Sequence, residues 1–381
     1  MSADAQVVIG LRHAAENRAD LALASFDRAI ALDPGHLVAR QGRAAALMRL
    51  GSYDAACAAS HEVLVVRHSS RWWPERTPRE IMPEGDVFAL TSAVKLRHDR
   101  EQIRHLAAEG LLPKGAERLE RAYGDVLAEI EGAGNRVVRL TDAQRKRIGA
   151  GYNRVVHLDP GARVAPLAVA AGWDRADAAA AYAARRIAVV DGFLTPDALA
   201  ALRRFCLDST IWFDASHAQG GRGYVGADGM DGLACPLLFQ IAEDLRHALP
   251  EAIGMLPLIK LWAFKYDHGL QGISAHADAA KVNVNFWITP DEACLDSSAG
   301  GMVIHDAHVP AEWSFESYNA DPGGLHRHIQ SVGGKATNVP YRQNRAVIFD
   351  SDLIHATAPI RFRSGYTNRR INVTLLYGHR S

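Results

Sequence analysis

From residue 259 to the C-terminus the chain is divided into short β-prone runs, and this segmentation limits the fold more than any other feature. The runs "IKLWAFKY" (259–266), "KVNVNFWIT" (281–289), "GGMVIHD" (300–306), "NRAVIFD" (344–350) and "RRINVTLLYG" (369–378) are rich in β-branched and aromatic residues, with turn clusters between them. Short strands at this spacing predict an all-β sandwich or barrel. The composition changes at about residue 186. There "RIAVVDGFLTPDALAALRRFCLDS" predicts a buried strand, a turn, and a helix with Thr195 as N-cap and Pro196 at its first position.

Within the β-rich part, "GISAHADAAKVNVNFWIT" (272–289) places His276 and Asp278 two residues apart. On a strand, positions i and i+2 share a face, so imidazole and carboxylate can converge on one metal ion. A third ligand is available in "RAVIFDSDLIHATAPI", which predicts His355 at the end of an apolar strand. Two histidines and one carboxylate on one face of an octahedron leave three positions open, the arrangement of non-haem iron(II) oxygenases. The pattern H-x-D alone is weak in a chain with 17 histidines. His326 and His328 in "GGLHRH" mimic a ligand pair but fall in a predicted Gly-rich loop. The long connection 306–340, with Trp313, Tyr318 and Asn319, reads either as a lid or as a surface insertion.

The last run, "TNRRINVTLLYG", puts Arg370, Asn372 and Thr374 on one face and Arg369, Ile371 and Val373 on the other. An arginine projecting into a β-barrel is costly unless an anion meets it, and a planar guanidinium suits a carboxylate. Asn283 and Asn285 also share a face; they either hydrogen-bond a ligand carboxylate or substrate, or lie exposed.

Residues 186–381 resemble the 2-oxoglutarate/Fe(II)-dependent dioxygenase superfamily, in its prolyl-hydroxylase-like form with a double-stranded β-helix. The resemblance rests on H-x-D…H, on Tyr266 ten residues before the first ligand ("KYDHGLQGISAHAD"), and on R-x-x-x-T opening the last strand. It implies His276, Asp278 and His355 as iron ligands, Arg370 as the anchor for 2-oxoglutarate, and Tyr266 and Thr374 as further cosubstrate residues, with O2 as co-reactant. Arg369 takes the place of Arg370 if the register shifts by one residue; Arg370 is preferred. Asp278 keeps the carboxylate that the family's halogenases replace with a small residue, so the resemblance implies hydroxylation or a related oxidation. A peptidyl or amino-acid-like substrate is expected, releasing succinate and CO2. Two rival readings are a cupin-type metalloenzyme that does not use 2-oxoglutarate and an adaptor with an inactive β-domain. The first leaves the Arg369–Arg370 pair unexplained, and the second would ordinarily have lost a ligand.

The N-terminal region has a different period. "NRADLALASFDRAIALDP" (17–34) and "LGSYDAACAASHEVLVV" (50–66) align at 34 residues, pairing Ala22 with Ala56, Phe26 with Ser60 and Ala29 with Val63. This resembles tetratricopeptide repeats, degenerate in the second copy. Two such repeats cannot bury a stable core by themselves. Residues 71–85 form a proline-rich break. Two amphipathic helices are expected over 86–113 and 115–134, and 135–185 yields no clear elements.

The expected fold class is therefore α+β multidomain. Tetratricopeptide-like hairpins occupy 1–70, a helical connector 71–185, and a double-stranded β-helix (jelly-roll) oxygenase domain 186–381. Lys+Arg and Asp+Glu both total 43, so net charge argues for neither nucleic acid nor membrane as a partner. The expected partners are a peptide, protein or small-molecule substrate, with a protein partner or self-association through the N-terminal helices. Four scattered cysteines without CxxC spacing, no signal peptide and no apolar stretch of 18 residues predict a cytoplasmic protein with reduced thiols.

Overall fold

The computed structural model describes residues 1–73, 86–134, 136–215, 223–270, 272–310 and 312–380. Most of the proline-rich break expected at 71–85 lies outside them. Two compact units interleave along the chain, the first formed by 1–163, 204–239 and 260–262, the second by 164–203, 240–259 and 263–381.

The first unit begins with two helical hairpins, α1 (Ala3–Ala15) with α2 (Ala19–Leu32) and α3 (Leu37–Arg49) with α4 (Tyr53–His68). The positions aligned at a spacing of 34 all point inward, Ala22, Phe26 and Ala29 in one copy and Ala56, Ser60 and Val63 in the other. Phe26 sets the approach of its neighbours. A Cβ on Gly42 would fall 2.6 Å from Phe26 Cε1, and one on Gly10 would fall 2.7 Å from the same atom. Only residues without a side chain let the ring lie there.

The helix expected from residue 86 is broken early. α5 (Asp86–Ala89) leads into β1 (Leu90–Thr91), and α6 (Ala93–Ala108) starts only after Ser92, whose hydroxyl accepts the Lys95 N–H at 3.2 Å. Ser92 competes for the backbone as an N-cap and overrides the apolar periodicity. α7 (Arg118–Ile130) then packs Leu119, Tyr123 and Val126 against Leu96 and Ile103. β2 (Val138–Arg139) pairs antiparallel with β1, and α8 (Asp142–Ile148) opens with a capping box in which Thr141 and Gln144 bond each other's backbone. That T-x-x-Q signal lies in the segment that sequence reading left unassigned.

Next come α9 (Arg175–Arg185), β3 (Ile187–Asp191), α10 (Pro196–Asp208), β4 (Tyr224–Asp228), α11 (Pro236–Ala248), β5 (Leu258–Tyr266), β6 (Ile273–His276), β7 (Val282–Trp287), β8 (Met302–His308), α12 (Phe315–Ala320), α13 (Pro322–Ser331), β9 (Ala336–Val339), β10 (Arg345–Asp350), β11 (Leu353–Thr357) and β12 (Ile371–Tyr377). The strand–turn–helix expected at 186–209 is present, with Thr195 Oγ1 accepting the Ala198 N–H at 3.3 Å.

In the second unit β3-β10-β7-β12-β5 run side by side in one sheet, and β6-β11-β8-β9 form a smaller one. Register divides the residues of the larger sheet between its faces. Val284 stands opposite Ile348 and Leu375, and Phe286 opposite Val373, which makes one face apolar. Phe286 packs on Phe193 with ring centroids 5.2 Å apart, and Tyr377 donates its hydroxyl to the Ala242 carbonyl of α11. The other face carries Asn283, Asn285 and Trp287 with their partners Phe349, Thr374 and Asn372. It looks toward the smaller sheet, where the Phe349 ring meets His355 edge-on at 4.8 Å.

Three local expectations are corrected. His355 is not at the end of the run that begins at Arg345. β10 stops at Asp350, a turn follows, and His355 is central in β11. His276 ends β6 while Asp278 lies beyond it, so strand alternation is not what aligns the pair. The "GGLHRH" segment is helical, within α13. Asp321 accepts the Gly324 N–H and Pro322 occupies the first turn, start signals that outweigh the two glycines.

α12 and α13 occupy the connection read as a lid or a surface insertion. Tyr318, Leu325 and Ile329 pack against Ala277, Ala307 and Ile354, with Ala275 alongside. Ala275 and Ile354 alternate with His276 and His355, so the helices lie on the face of the smaller sheet turned away from the two histidines. The insertion braces the sheet from behind.

Candidate metal centre

β6 and β11 pair so that His276 and His355 are directly opposite each other, their rings 4.3 Å apart. A bulge follows immediately in the ladder, between His355 and Thr357. The chain leaving β6 brings Asp278 round to the same place, with Oδ2 3.5 Å from His355 Nε2. One donor atom from each of His276, Asp278 and His355 lies within 4.8 Å of the others, and this is the set among the described residues that can hold a metal ion.

The two histidines are prepared for that task by the backbone. His276 Nδ1 is 2.9 Å from the Ser274 carbonyl, and His355 Nδ1 is 2.9 Å from the Leu353 carbonyl. A carbonyl only accepts, so each Nδ1 carries the proton and each Nε2 keeps its lone pair for a metal. The same i to i−2 contact occurs at both histidines, so strand geometry alone sets both tautomers.

Asp278 is oriented by a chain of buried polar side chains. Its carboxylate only accepts, so Asn283 presents its amide nitrogen, 2.6 Å from Oδ2. Asn283 Oδ1 then accepts from Asn285 Nδ2 at 2.5 Å, and Asn285 Oδ1 accepts from Asn372 Nδ2 and from the Thr374 hydroxyl, each at 2.8 Å. Every dipole in the series points toward Asp278, which strengthens the series cooperatively. Asn283 and Asn285 are buried, so exposure is not their explanation. The Thr374 hydroxyl donates to Asn285 and accepts from Asn372, so it is already occupied within the protein.

The paired arginines have different surroundings. Arg369 is buried and sits 3.3 Å from the carboxylate of Asp267. Arg370 is 1% exposed; its Nε donates to the Gly300 carbonyl at 2.6 Å, and its guanidinium lies over the rings of Tyr266 (4.8 Å) and Trp287 (5.4 Å). The Tyr266 hydroxyl bonds to it, and its Nη1 has no partner among the described residues. Burial draws the pKa of Arg370 below the ordinary guanidinium value, the mark of a cation held out of water.

Of the residues singled out in the sequence, the structure brings His276, Asp278 and His355 together and buries Arg369, Arg370, Asn283 and Asn285. The connection that carries Asn319, which reads as either a lid or a surface insertion, packs on the smaller sheet, and the Asn319 side chain clamps the peptide between His276 and Asp278. Its Nδ2 donates to the Ala277 carbonyl at 3.1 Å, and its Oδ1 accepts the Ala277 N–H at 3.4 Å. Nothing in the local sequence could reveal this, because the contact spans 42 residues. Asn319→Ala is expected to weaken metal binding by about tenfold, since supporting partners of ligands typically contribute at that scale. Calorimetric titration with Co(II) measures it; unchanged affinity would mean that the ligand turn holds its shape unaided. His326 and His328 are not drawn into the centre, and His328 Nε2 donates instead to the His308 carbonyl at 2.9 Å.

No protein-family profile matches the chain, and no curated protein matches it. Solved structures with similarity to it include a prolyl-4-hydroxylase from Pseudomonas putida, 16% identical over 57% of this chain and 100% of that one, with a TM-score of 0.34. Another is HygX from Streptomyces hygroscopicus, solved with nickel and 2-oxoglutarate bound, 12% identical over 53% and 86% of the two chains, TM-score 0.38. A third is SnoN, a non-haem α-ketoglutarate-dependent epimerase from nogalamycin biosynthesis, 14% identical over 54% and 83%, TM-score 0.39. The chemistry of this site is therefore read from its own donors. No helix among the described residues is long and apolar enough to cross a membrane.

Proposed function

We propose that the chain is an Fe(II)- and 2-oxoglutarate-dependent dioxygenase that hydroxylates a C–H bond of a peptidyl or amino-acid-like substrate. In this reading the β-rich part, 186–381, is a double-stranded β-helix oxygenase domain, 71–185 a helical connector, and 1–70 tetratricopeptide-like hairpins that bind a protein partner or a second copy. The observation that carries the reading is a three-donor centre in the same unit as a buried guanidinium that has no carboxylate partner among the described residues. A cupin-type metalloenzyme would need the centre but not Arg370.

The donor set suits the metal. Two neutral imidazoles and one carboxylate would hold a divalent first-row ion and leave it able to take further ligands. Bound iron with 2-oxoglutarate and O2 supplies the oxidising chemistry, releasing succinate and CO2. The chain's own residues do the rest. The Ser274 and Leu353 carbonyls keep both imidazoles facing inward, and Asn283 holds Asp278 in one orientation. Arg370, pinned by Gly300 and Tyr266, receives the distal carboxylate of the cosubstrate. The buried Trp287, Tyr266 and Phe349 exclude water around these groups.

Anaerobic titration with Fe(II) and then 2-oxoglutarate is the direct test. A weak visible charge-transfer band should grow with 2-oxoglutarate, and admission of O2 should release succinate in step with loss of 2-oxoglutarate. Metal binding without either signal would discard the oxygenase reading in favour of the cupin or adaptor alternatives.

A further inference from the structure

Arg370 Nη1 is not alone on its face. Trp287 stands two residues beyond Asn285 on the same side of β7, fully buried, and its indole Nε1 likewise has no acceptor among the described residues. The Arg370 guanidinium lies over this same ring. Two buried donors without acceptors so close together are a costly arrangement for a fold to keep. The residue that R-x-x-x-T would supply as a second donor does not fill the role, since Thr374 spends its proton on Asn285.

Resting on the oxygenase reading above, we propose that the Trp287 indole N–H and Arg370 Nη1 together seat the distal carboxylate of 2-oxoglutarate, one oxygen to each donor. Trp287 is then a cosubstrate-binding residue, and Thr374 acts only through Asn285 on the orientation of Asp278. Two separated donors and one planar anion match in number. The surrounding rings of Tyr266, Trp287 and Tyr341 suit the methylene carbons that precede that carboxylate. Tyr341 is itself occupied, donating its hydroxyl to the Thr289 carbonyl, and packs on Trp287 with ring centroids 5.4 Å apart.

The test compares wild type with Trp287→Phe, which keeps an aromatic ring and removes the N–H. Both are loaded with Co(II) and titrated by calorimetry, first with 2-oxoglutarate and then with 2-oxopentanoate, which has the same keto-acid end but a methyl group in place of the distal carboxylate. The variant should bind 2-oxoglutarate about ten- to a hundredfold more weakly, the range for losing one hydrogen bond to a charged group. Its affinities for Co(II) and for 2-oxopentanoate should match those of the wild type. Equal 2-oxoglutarate affinity in the two proteins would overturn the proposal while leaving the oxygenase reading in place, and so would a parallel loss of both keto acids, which is what disturbed packing produces. If the wild type itself fails to bind 2-oxoglutarate, the oxygenase reading falls first.

Discussion

Asp278→Ala should lose metal affinity by more than the roughly 100-fold that a supporting residue can account for. The substitution removes the one anionic donor of the centre and leaves two neutral imidazoles. It also strands Asn283, whose amide nitrogen is 2.6 Å from Asp278 Oδ2 in a fully buried position. An orphaned buried donor costs about 1–3 kcal/mol, so the variant should also unfold at a lower temperature than metal-free wild type. Co(II) titration and a thermal melt without metal measure the two effects separately. A variant that binds Co(II) within a few-fold of the wild type would show that the carboxylate is no ligand.

Arg370→Met is expected to act in opposite directions on binding and on stability. The effective penalty for holding a lone charge out of water is several kcal/mol, and methionine fills similar volume without it. Against this, the Gly300 carbonyl and the Tyr266 hydroxyl both lose a partner, at about 1–3 kcal/mol for the buried carbonyl. The desolvation effect is the larger, so the variant without ligands should be more stable than wild type by about 1–2 kcal/mol. Its affinity for 2-oxoglutarate should fall by roughly 100-fold, the loss of a charge-assisted contact to a carboxylate. Melts with and without 2-oxoglutarate and Co(II) read both effects. A destabilised variant would mean that Arg370 is held for its bonds to Gly300 and Tyr266 and not for an anion.

The site's chemistry was more legible than its geometry. His276, Asp278 and His355 stood out by their order and spacing among β-prone runs, and Arg370 by the resemblance to R-x-x-x-T at the start of the last strand. The choice between the two arginines was harder, because a strand offers each of them a face. The structure separates them by surroundings, giving Asp267 to Arg369 and, among the described residues, no carboxylate to Arg370. Short-range expectations failed where capping chemistry contested periodicity, as at Ser92, Thr141 and Asp321. The signals were present in each case, but a side chain that bonds its own backbone leaves only a brief mark in a pattern. The clamp of Asn319 on Ala277, and the Trp287 indole N–H that has no acceptor among the described residues, left no mark at all. Both depend on which residues meet across the fold, and periodicity along one strand or helix carries no record of that.

The placement of α12 and α13 has a consequence for how such a protein changes over time. These helices touch the centre from its far side, through Tyr318 packed on Ala277 and Asn319 bonded to it. If the centre holds a metal as proposed, sequence drift in them would alter its grip and leave the polar face of the larger sheet as it was. Under the proposed function, the grip on the metal can therefore change from the insertion alone, independently of Asn285 and Trp287 on the larger sheet.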